Sequence, residues 1–353
     1  MNLDDINAFK QLDTRDMLGE IAALPAQLEK AWDLGQARPL PKGAAIRQVV
    51  ISGMGGSAIG ADLLAAFIAP SCRVPVIVHR DYGLPAWAHG PETLVIASSH
   101  SGNTEETLDS FQVALQNQCN LMAVATGGRL AEMASNADVP LWLFEHHGQP
   151  RAAVGFSFGL LLAAFARLGL IPDPAEEVAG AVAAMKKQQA SLRPEIPVTE
   201  NPAKRLAGQL VGRWVNVYGS GFLAPVARRW KGQFNEIAKA GAGFEILPEA
   251  DHNALAGLLN PAEVQSCTMT IFLHSPVDHP RNHLRLELTR HWFLVEGLNT
   301  DVYESQGGTP LASIWTALHY GDHAAYYLAM AYGVDPTPVE ALENFKAAMK
   351  TAR

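Results

Sequence analysis

The sequence predicts an α/β fold with two doubly wound lobes, each built on a parallel β-sheet. Short and almost continuous apolar runs alternate with helix-length segments, which is the pattern of strands covered by helices on both faces. A chain of 353 residues is also longer than one hydrophobic core usually serves. Two of the runs, "VVISGMGGSA" and "VNVYGSGFLA", lead into glycine-bearing loops and open two series of strands. We therefore expect a duplicated architecture.

The first lobe is predicted over residues 45–150, after an N-terminal helical segment over residues 1–44. An amphipathic helix is expected in that segment from about Thr14 to Asp33. The predicted strands of the lobe span residues 48–55, 74–80, 93–99, 121–127 and 140–146. Helices between these strands would cover both faces of the sheet.

A helical connector is predicted over residues 151–200, with one helix from roughly Ala175 to Leu192. The second lobe follows over residues 201–310. Its predicted strands span residues 214–222, 244–249, 268–274 and 299–305. C-terminal helices over residues 311–353 would close over the site, and the first of them is expected to end near Gly333, because glycine is favoured just after a helix.

Composition argues against several classes of protein. The 27 basic and 35 acidic residues give a net charge of −8, and no run of Lys or Arg exceeds two, so neither nucleic acid nor an anionic membrane is an expected partner. Cys72, Cys119 and Cys267 lie far apart and suggest neither a disulfide framework nor a thiolate metal site. The first residues are acidic and lack the apolar stretch of a signal peptide. We expect a cytoplasmic globular protein that is neither exported nor membrane-spanning.

The stretch "TLVIASSHSGNTEETL" places a cluster of hydroxyl groups after a buried strand. Ser99, Ser101 and Thr104 would lie at the carboxyl end of a parallel strand, where open α/β sheets bind ligands. Backbone N–H groups of the loop and of the next helix are unpaired donors there, and the helix dipole favours an anion. Helix capping, with Glu105 and Glu106 in the first turn, would explain any one hydroxyl but poorly explains all of them. The loop predicts a phosphate site.

The earlier loop "GMGGSAIGADLL" offers a second set of anion-binding groups. Gly53, Gly55 and Gly56 allow close backbone approach, and Ser57 begins the following helix. The loop is also close to the G-x-G-x-x-A pattern of dinucleotide sites. That alternative requires an acidic residue at the end of the second strand, and Asp81 comes somewhat late for it.

The stretch "RRWKGQFNEIAKAGAGFEILPEADHN" contains candidates for proton transfer. Glu236 lies in an apolar and amide-rich helical context, which suits a general base, and His252 lies in an acid-flanked loop. A carboxylate and an imidazole are what proton transfer on a sugar requires. The alternatives are a surface carboxylate paired with Lys231 or Lys239, and a histidine that merely occupies a turn.

Two histidine-bearing stretches could be taken for metal sites. His146 and His147 are adjacent and would point apart on a strand, and Pro280 interrupts the helix that would align the "DHPRNH" set. We therefore expect neither a metal nor an organic cofactor.

The order of the motifs "GMGGSAIGADL", "SSHSGNTEETL", "PRAAVG", "RWKGQFNEIAK" and "EADHN" resembles that of the bifunctional phosphoglucose/phosphomannose isomerases, which are sugar isomerase (SIS) domain proteins. The S-x-S-G-N-T-x-E-T loop marks SIS domains generally, and the resemblance covers nearly the whole chain. It implies two SIS-type lobes and an aldose–ketose isomerase of glucose 6-phosphate and fructose 6-phosphate. Activity on mannose 6-phosphate is also expected.

The resemblance also implies roles for individual residues. The residues expected to hold the phosphate of a hexose 6-phosphate are Gly55, Gly56, Ser57, Ser99, Ser101 and Thr104. Arg151 matches an arginine that stabilises an enediolate, and Glu236 matches the base that moves a proton between C1 and C2. His252 matches a ring-opening histidine donated by the partner of a homodimer. Lys346 matches a tail lysine near the ring oxygen, with Lys350 as the alternative.

The chain departs from the family pattern at two positions. His100 stands where "SYSGNT" has tyrosine, and Ile237 stands where asparagine often follows the glutamate. Two other functions remain open: a non-catalytic sensor of a sugar phosphate, and an isomerase of another phosphosugar. The presence of both Glu236 and His252 counts against a sensor, and two lobes with a tail lysine favour a hexose over other sugars.

Overall fold

The computed structural model describes residues 2–43 and 45–351, without the side chain of Lys350, and contains two parallel sheets. The first sheet consists of β1 (Gln48–Ser52), β2 (Val76–His79), β3 (Thr93–Ser99), β4 (Asn120–Ala125) and β5 (Leu141–Leu143). The second consists of β6 (Trp214–Ser220), β7 (Ala242–Leu247), β8 (Thr268–His274) and β9 (Asn299–Glu304). Their strand orders are β2-β1-β3-β4-β5 and β7-β6-β8-β9, and every neighbouring pair runs parallel. The predicted α/β fold with two parallel-sheet lobes is confirmed.

Helices alternate with these strands or flank them along the chain. They are α1 (Ile6–Leu12), α2 (Met17–Ala22), α3 (Leu24–Gln36), α4 (Gly55–Ile68), α5 (Glu105–Gln116), α6 (Gly128–Asn136), α7 (Val154–Arg167), α8 (Ala175–Gln189), α9 (Pro202–Leu210), α10 (Ala224–Glu236), α11 (Ala262–Ser266), α12 (Pro280–Val295), α13 (Pro310–Tyr332) and α14 (Glu340–Thr351). Among the residues that the structure describes, no helix combines the length and apolarity needed to cross a bilayer.

One large core joins the two lobes. It contains the inner face of each sheet together with α4, α7, α8, α10 and α13. Phe158 of α7 packs edge-on against Trp315 of α13, with 5.2 Å between ring centroids, and Trp230 of α10 stacks on Tyr320 of α13 at 5.8 Å. Smaller cores cover the outer faces, formed with α5 and α6 in the first lobe and with α12 in the second. The buried helix α13 therefore supports both lobes.

The predicted helix from Thr14 to Asp33 is wrong in one respect, since the structure divides that stretch between α2 and α3. The break falls at Ala23, because Pro25 lies in the first turn of α3 and has no N–H to continue a helix. Asp16 starts α2, where its side chain accepts a hydrogen bond from the N–H of Gly19.

Most of the remaining elements agree with the predictions, but the strand predicted at 48–55 ends at Ser52 and the strand predicted at 140–146 spans only Leu141–Leu143. The expected strands at 93–99 and 268–274 coincide with β3 and β8. The long C-terminal helix ends at Gly333, whose φ of 69° is the left-handed conformation that glycine adopts readily. The strand predicted at 244–249 begins two residues earlier as β7. The boundaries of the five predicted segments stay a prediction.

Candidate active site

The loops after β1 and β3 meet, because these strands are parallel neighbours and the strand order reverses between them. The Oγ of Ser57, in the first turn of α4, accepts a hydrogen bond from the backbone N–H of His100 at 3.2 Å. Gly53 is needed at the crossing, since a Cβ there would lie 2.8 Å from the carbonyl oxygen of Ser98. The structure thus brings together, at one edge of the sheet, the loop after β1 (residues 53–57, the glycine loop) and the loop after β3 (residues 99–104, the serine loop).

Hydroxyl groups hold the serine loop in shape. The oxygens of Ser99 and Thr104 are 2.8 Å apart, and Ser99 also accepts a hydrogen bond from the N–H of Gly102. Ser101 accepts one from the N–H of Asn103 at 3.2 Å. Thr104 is at the N-cap of α5, yet across residues 45–351 no side chain caps the start of α4 or of α5. Helix capping therefore does not explain the cluster, and both helix starts keep donors for an anion.

The turn that carries Arg151 packs directly against the start of α4. A Cβ on Gly56 would lie 2.4 Å from the carbonyl oxygen of Pro150, so only glycine fits there. Gly55 has a φ of 49°, which also favours glycine. The hydroxyl of Ser157 in α7 donates to the Gly56 carbonyl at 3.2 Å. Arg151 is consequently next to the predicted phosphate site.

Arg151 and Glu236 come together from different lobes. Nη1 of Arg151 is 3.7 Å from a carboxylate oxygen of Glu236 and donates to the Gln149 side chain at 3.3 Å. Nη2 donates to the carbonyl oxygens of Pro336 and Thr337. Arg151 is only 6% exposed, and its Nε has no hydrogen-bond partner in the part of the chain that the structure describes. Burial lowers the pKa of Arg151, whereas the charge of Glu236 raises it. The guanidinium is thus fixed, with one N–H still to be paired.

Glu20 is a nearby carboxylate that the sequence did not single out. It accepts hydrogen bonds from the backbone N–H of Gln149 at 3.0 and 3.4 Å, which holds the chain just before Arg151. Burial raises the pKa of Glu20, while this hydrogen bond and the charge of Arg151 lower it. Glu20 belongs to no motif, so only the folded structure reveals its position.

Lys239 caps the helix that ends with Glu236. Its Nζ donates to the carbonyl oxygens of Glu236 at 2.9 Å and of Ile237 at 3.3 Å, and its φ is 54°. Burial lowers the pKa of Lys239 to about 8, and the charge of Arg151 acts in the same direction. The carboxylate of Glu236 pairs with Arg151, so the alternative pairing with Lys231 or Lys239 is wrong. Ile237 itself is buried in the core.

His252 and Lys346 lie on exposed elements. His252 ends a short 3-10 turn after β7, and neighbouring Asp251 anchors that turn to Arg285 and Thr289 of α12 at 2.7 Å each. Lys346 lies on α14. Neither the imidazole nor the ammonium group forms a hydrogen bond or an ion pair with the described residues. The side chain of Lys350 lies outside them, so the choice between the two lysines stays open.

His100 extends the site beneath the serine loop. Its Nε2 is 3.0 Å from Nδ1 of His146, and its ring packs edge-on against Phe144, which stacks on Phe156. Burial lowers the pKa of His100 to about 4, and burial likewise lowers that of His146. Both imidazoles are therefore neutral near pH 7. Within the described ranges, no group of three or more potential ligands is arranged to hold a metal ion.

The two-lobed parallel fold and the serine loop define the class, that of the SIS-domain proteins. Residues 199–349 match the family described as "Bacterial phospho-glucose isomerase C-terminal SIS domain". The chain is 39% identical over 334 residues to a bifunctional phosphoglucose/phosphomannose isomerase of Caldicellulosiruptor bescii, covering 94% of this chain and 98% of that protein. It is 31% identical to one of Aquifex aeolicus, covering 86% and 90%. The chain belongs to the bifunctional phosphoglucose/phosphomannose isomerase family.

Solved structures agree on the fold. A hypothetical protein from Thermus thermophilus superposes with a TM-score of 0.75 at 18% identity, covering 98% of this chain and 93% of that one. At this identity the likeness concerns the fold alone, and the roles of individual residues depend on the geometry described above.

Proposed function

We propose that this protein is an aldose–ketose isomerase that interconverts glucose 6-phosphate and fructose 6-phosphate and also accepts mannose 6-phosphate. The contact between Arg151 and Glu236, beside an anion-binding loop, is the observation that carries the proposal. An enediolate requires a base that moves a carbon-bound proton and a cation next to the developing oxyanion. This pair supplies one of each, and the relatives named above are isomerases of these sugar phosphates.

The phosphate would bind at the carboxyl edge of the first sheet. Its ligands would be backbone N–H groups and hydroxyls of Gly55, Gly56, Ser57, Ser99, Ser101 and Thr104. Because Gly56 touches the turn containing Arg151, a hexose anchored there would extend toward the arginine and Glu236.

Proton transfer would then proceed between two carbons of the open sugar. Glu236 takes the proton from C2 of the aldose and returns it to C1, while the C2 hydroxyl proton passes to O1, so the aldehyde becomes a hydroxyl and C2 becomes the carbonyl. Arg151 stabilises the enediolate oxygen through its buried charge and the N–H still to be paired. The intermediate is planar at C2, so one base can serve both C2 epimers.

Ring opening would use His252 and Lys346. We place His252 in the site of a second subunit, so the working form is a homodimer. Two facts support this: its turn is anchored through Asp251, and the imidazole is exposed and unpaired among the residues described. The reaction needs neither metal nor organic cofactor, and three free cysteines fit a location in the cytoplasm.

The test is a coupled assay in EDTA with fructose 6-phosphate or mannose 6-phosphate as substrate. Glu236→Gln keeps the size of the side chain but removes the base, so kcat should fall at least about 1,000-fold with little change in KM. Glu132→Gln, on an exposed part of α6, is the matched control and should keep full activity. A Glu236→Gln enzyme that retains more than about a tenth of the rate contradicts the assignment.

The same assay separates the two alternatives. A wild-type protein that binds sugar phosphate without converting it would be a sensor. Turnover of a pentose or heptose phosphate, but not of hexose phosphates, would indicate another phosphosugar isomerase.

A further inference from the structure

A buried ion pair lies behind the candidate site. Arg229 of α10 and Asp322 of α13 are 4% and 2% exposed, and they form two hydrogen bonds, Nε to Oδ1 at 3.1 Å and Nη2 to Oδ2 at 2.6 Å. Nη2 of Arg229 makes one more bond, to the backbone carbonyl oxygen of Arg151 at 3.0 Å. The pair therefore connects the helix shared by both lobes to the backbone of a proposed catalytic residue.

Helix α10 consequently holds Arg151 at two points. Arg229 and Glu236 are seven residues apart, about two helical turns, so they lie on the same face of the helix. Arg229 binds the backbone of Arg151, and Glu236 contacts its guanidinium. Gln233 lies between them on that face. The separation between guanidinium and carboxylate is thus set by one rigid helix.

Stability alone does not account for two buried charges. Desolvation of an ion pair offsets most of its attraction, and apolar residues of similar size often stabilise a fold as well or better. Burial raises the pKa of Asp322, and the charge of Arg229 opposes that rise. The pair is costly to bury, and its remaining hydrogen bond ends on the backbone of Arg151. A role in positioning Arg151 therefore explains the pair better than a role in stability.

We propose that Arg229 and Asp322 are positioning residues for the isomerisation, which hold Arg151 at the correct distance from Glu236. The inference rests on the proposed roles of Arg151 and Glu236. Neither Arg229 nor Asp322 is assigned contact with the sugar. Their contribution is to the transition state, since displacement of a catalytic group by about 1 Å can cost about 100-fold in rate.

Arg229→Lys tests the geometry, because lysine keeps the charge but cannot form the bidentate bond while also reaching the Arg151 carbonyl. We expect kcat to fall about 10- to 100-fold while KM changes less than about threefold, because the phosphate loop is untouched. Arg228→Lys is the matched control, since Arg228 is the adjacent, half-exposed arginine and pairs with Asp62. It should leave kcat unchanged. Equal rates for the two variants would overturn the proposal.

A second variant separates positioning from folding. The double substitution Arg229→Met with Asp322→Leu replaces the pair by apolar side chains, so its melting temperature should stay close to that of the wild type. We expect kcat to drop as in Arg229→Lys even in this folded protein. Full activity would show that the pair serves packing only and would overturn the proposal. If the double variant does not fold, Asp322→Asn is assayed instead, well below its melting temperature. A drop in kcat would then support the positioning role, and full activity would overturn it.

Parallel assays of Glu236→Gln and Arg151→Lys distinguish this inference from the proposed function. If the wild-type protein converts none of the hexose phosphates, the proposed function fails; if it does and those two variants keep its activity, only the proposed roles of Arg151 and Glu236 fail. If the two variants lose activity and Arg229→Lys does not, only the positioning role fails.

Discussion

The two lobes share a topology but differ at the strand ends where α/β sheets bind ligands. In the first lobe, the loops after β1 and β3 present the hydroxyls of Ser57 and Ser99. In the second, the corresponding loops follow β6 and β8, and there the carboxylate of Asp278 accepts hydrogen bonds from Ser220 Oγ and the N–H of His279. Among the described residues, the carboxylate of Asp278 therefore occupies this edge of the second sheet, whereas the uncapped starts of α4 and α5 in the first lobe keep donors for an external anion.

Because Asp278 fills the strand-end site of the second lobe, this lobe contributes to the candidate active site in a different way. Gly221 has a φ of 50°, and a Cβ there would lie 2.8 Å from an oxygen of Asp278, so the loop is packed directly onto the carboxylate. The helix that follows this loop is α10, and its residues Glu236 and Arg229 both contact Arg151. Under the proposed assignment, the first lobe binds the phosphate and the second supplies the base.

The largest effect, on KM, is expected when a carboxylate is introduced into the phosphate site of the first lobe, as Asp278 provides one in the second. Ser57→Asp keeps an acceptor for the His100 N–H, so the loop can fold, but it places a carboxylate where the phosphate would bind. Like charges should raise KM for fructose 6-phosphate about 100-fold or more. Steady-state kinetics measure this, with Ser57→Ala as the uncharged control, expected to change KM far less. An unchanged KM in Ser57→Asp would place the phosphate elsewhere.

A smaller effect is expected from equivalent truncations in the two lobes. Ser99→Ala removes a hydroxyl from the predicted phosphate loop and should raise KM about tenfold, the value of one hydrogen bond to a charged group. Ser220→Ala removes a hydroxyl beside Asp278, at the end of β6 in the second lobe, and should leave KM within about twofold. If both variants raise KM equally, the lobes do not differ in the way described.

Neutralising the internal anion should affect stability rather than binding. Asp278→Asn weakens charge-assisted hydrogen bonds from Ser220 and Asn282, at a cost of about 1 kcal/mol in the free energy of unfolding. Urea denaturation measures this cost, and KM for the sugar phosphate should not change. A large rise in KM would instead show that Asp278 acts on the substrate.

The smallest effect is expected on the pH dependence of the free energy of unfolding. The pKa of His100 is lowered to about 4 in the folded protein, so the unfolded chain binds its proton first as the pH falls. His100 therefore contributes stability above about pH 6.5 that is lost between 6.5 and about 4. His100→Tyr should flatten the loss of unfolding free energy in that interval by about 1 kcal/mol, measured by urea denaturation at several pH values. Parallel curves for the two proteins would exclude this contribution.

The sequence predicted the strands well because each is a short apolar run between polar or glycine-bearing turns. Arg151 and Glu236, which the structure brings together, could be proposed from the sequence because each lies in a contiguous motif, and their catalytic roles stay a prediction. The Arg229–Asp322 pair was missed because 93 residues separate its members. One signal was present: Asp322 is a carboxylate within the apolar stretch "LHYGDHAAYYLAMA", where only a buried partner would make it tolerable. The proposed role of His252 depends on a second subunit, which no single chain can reveal.

The hydrogen bonds from Arg151 to Pro336 and Thr337 have a consequence for the order of synthesis. These two carbonyl groups belong to residues that follow α13, so the ribosome adds them after the residues of both sheets. A nascent chain that has formed both sheets still lacks the acceptors that hold the guanidinium. The guanidinium of Arg151 can therefore be held in place only after the residues of both sheets have been synthesised.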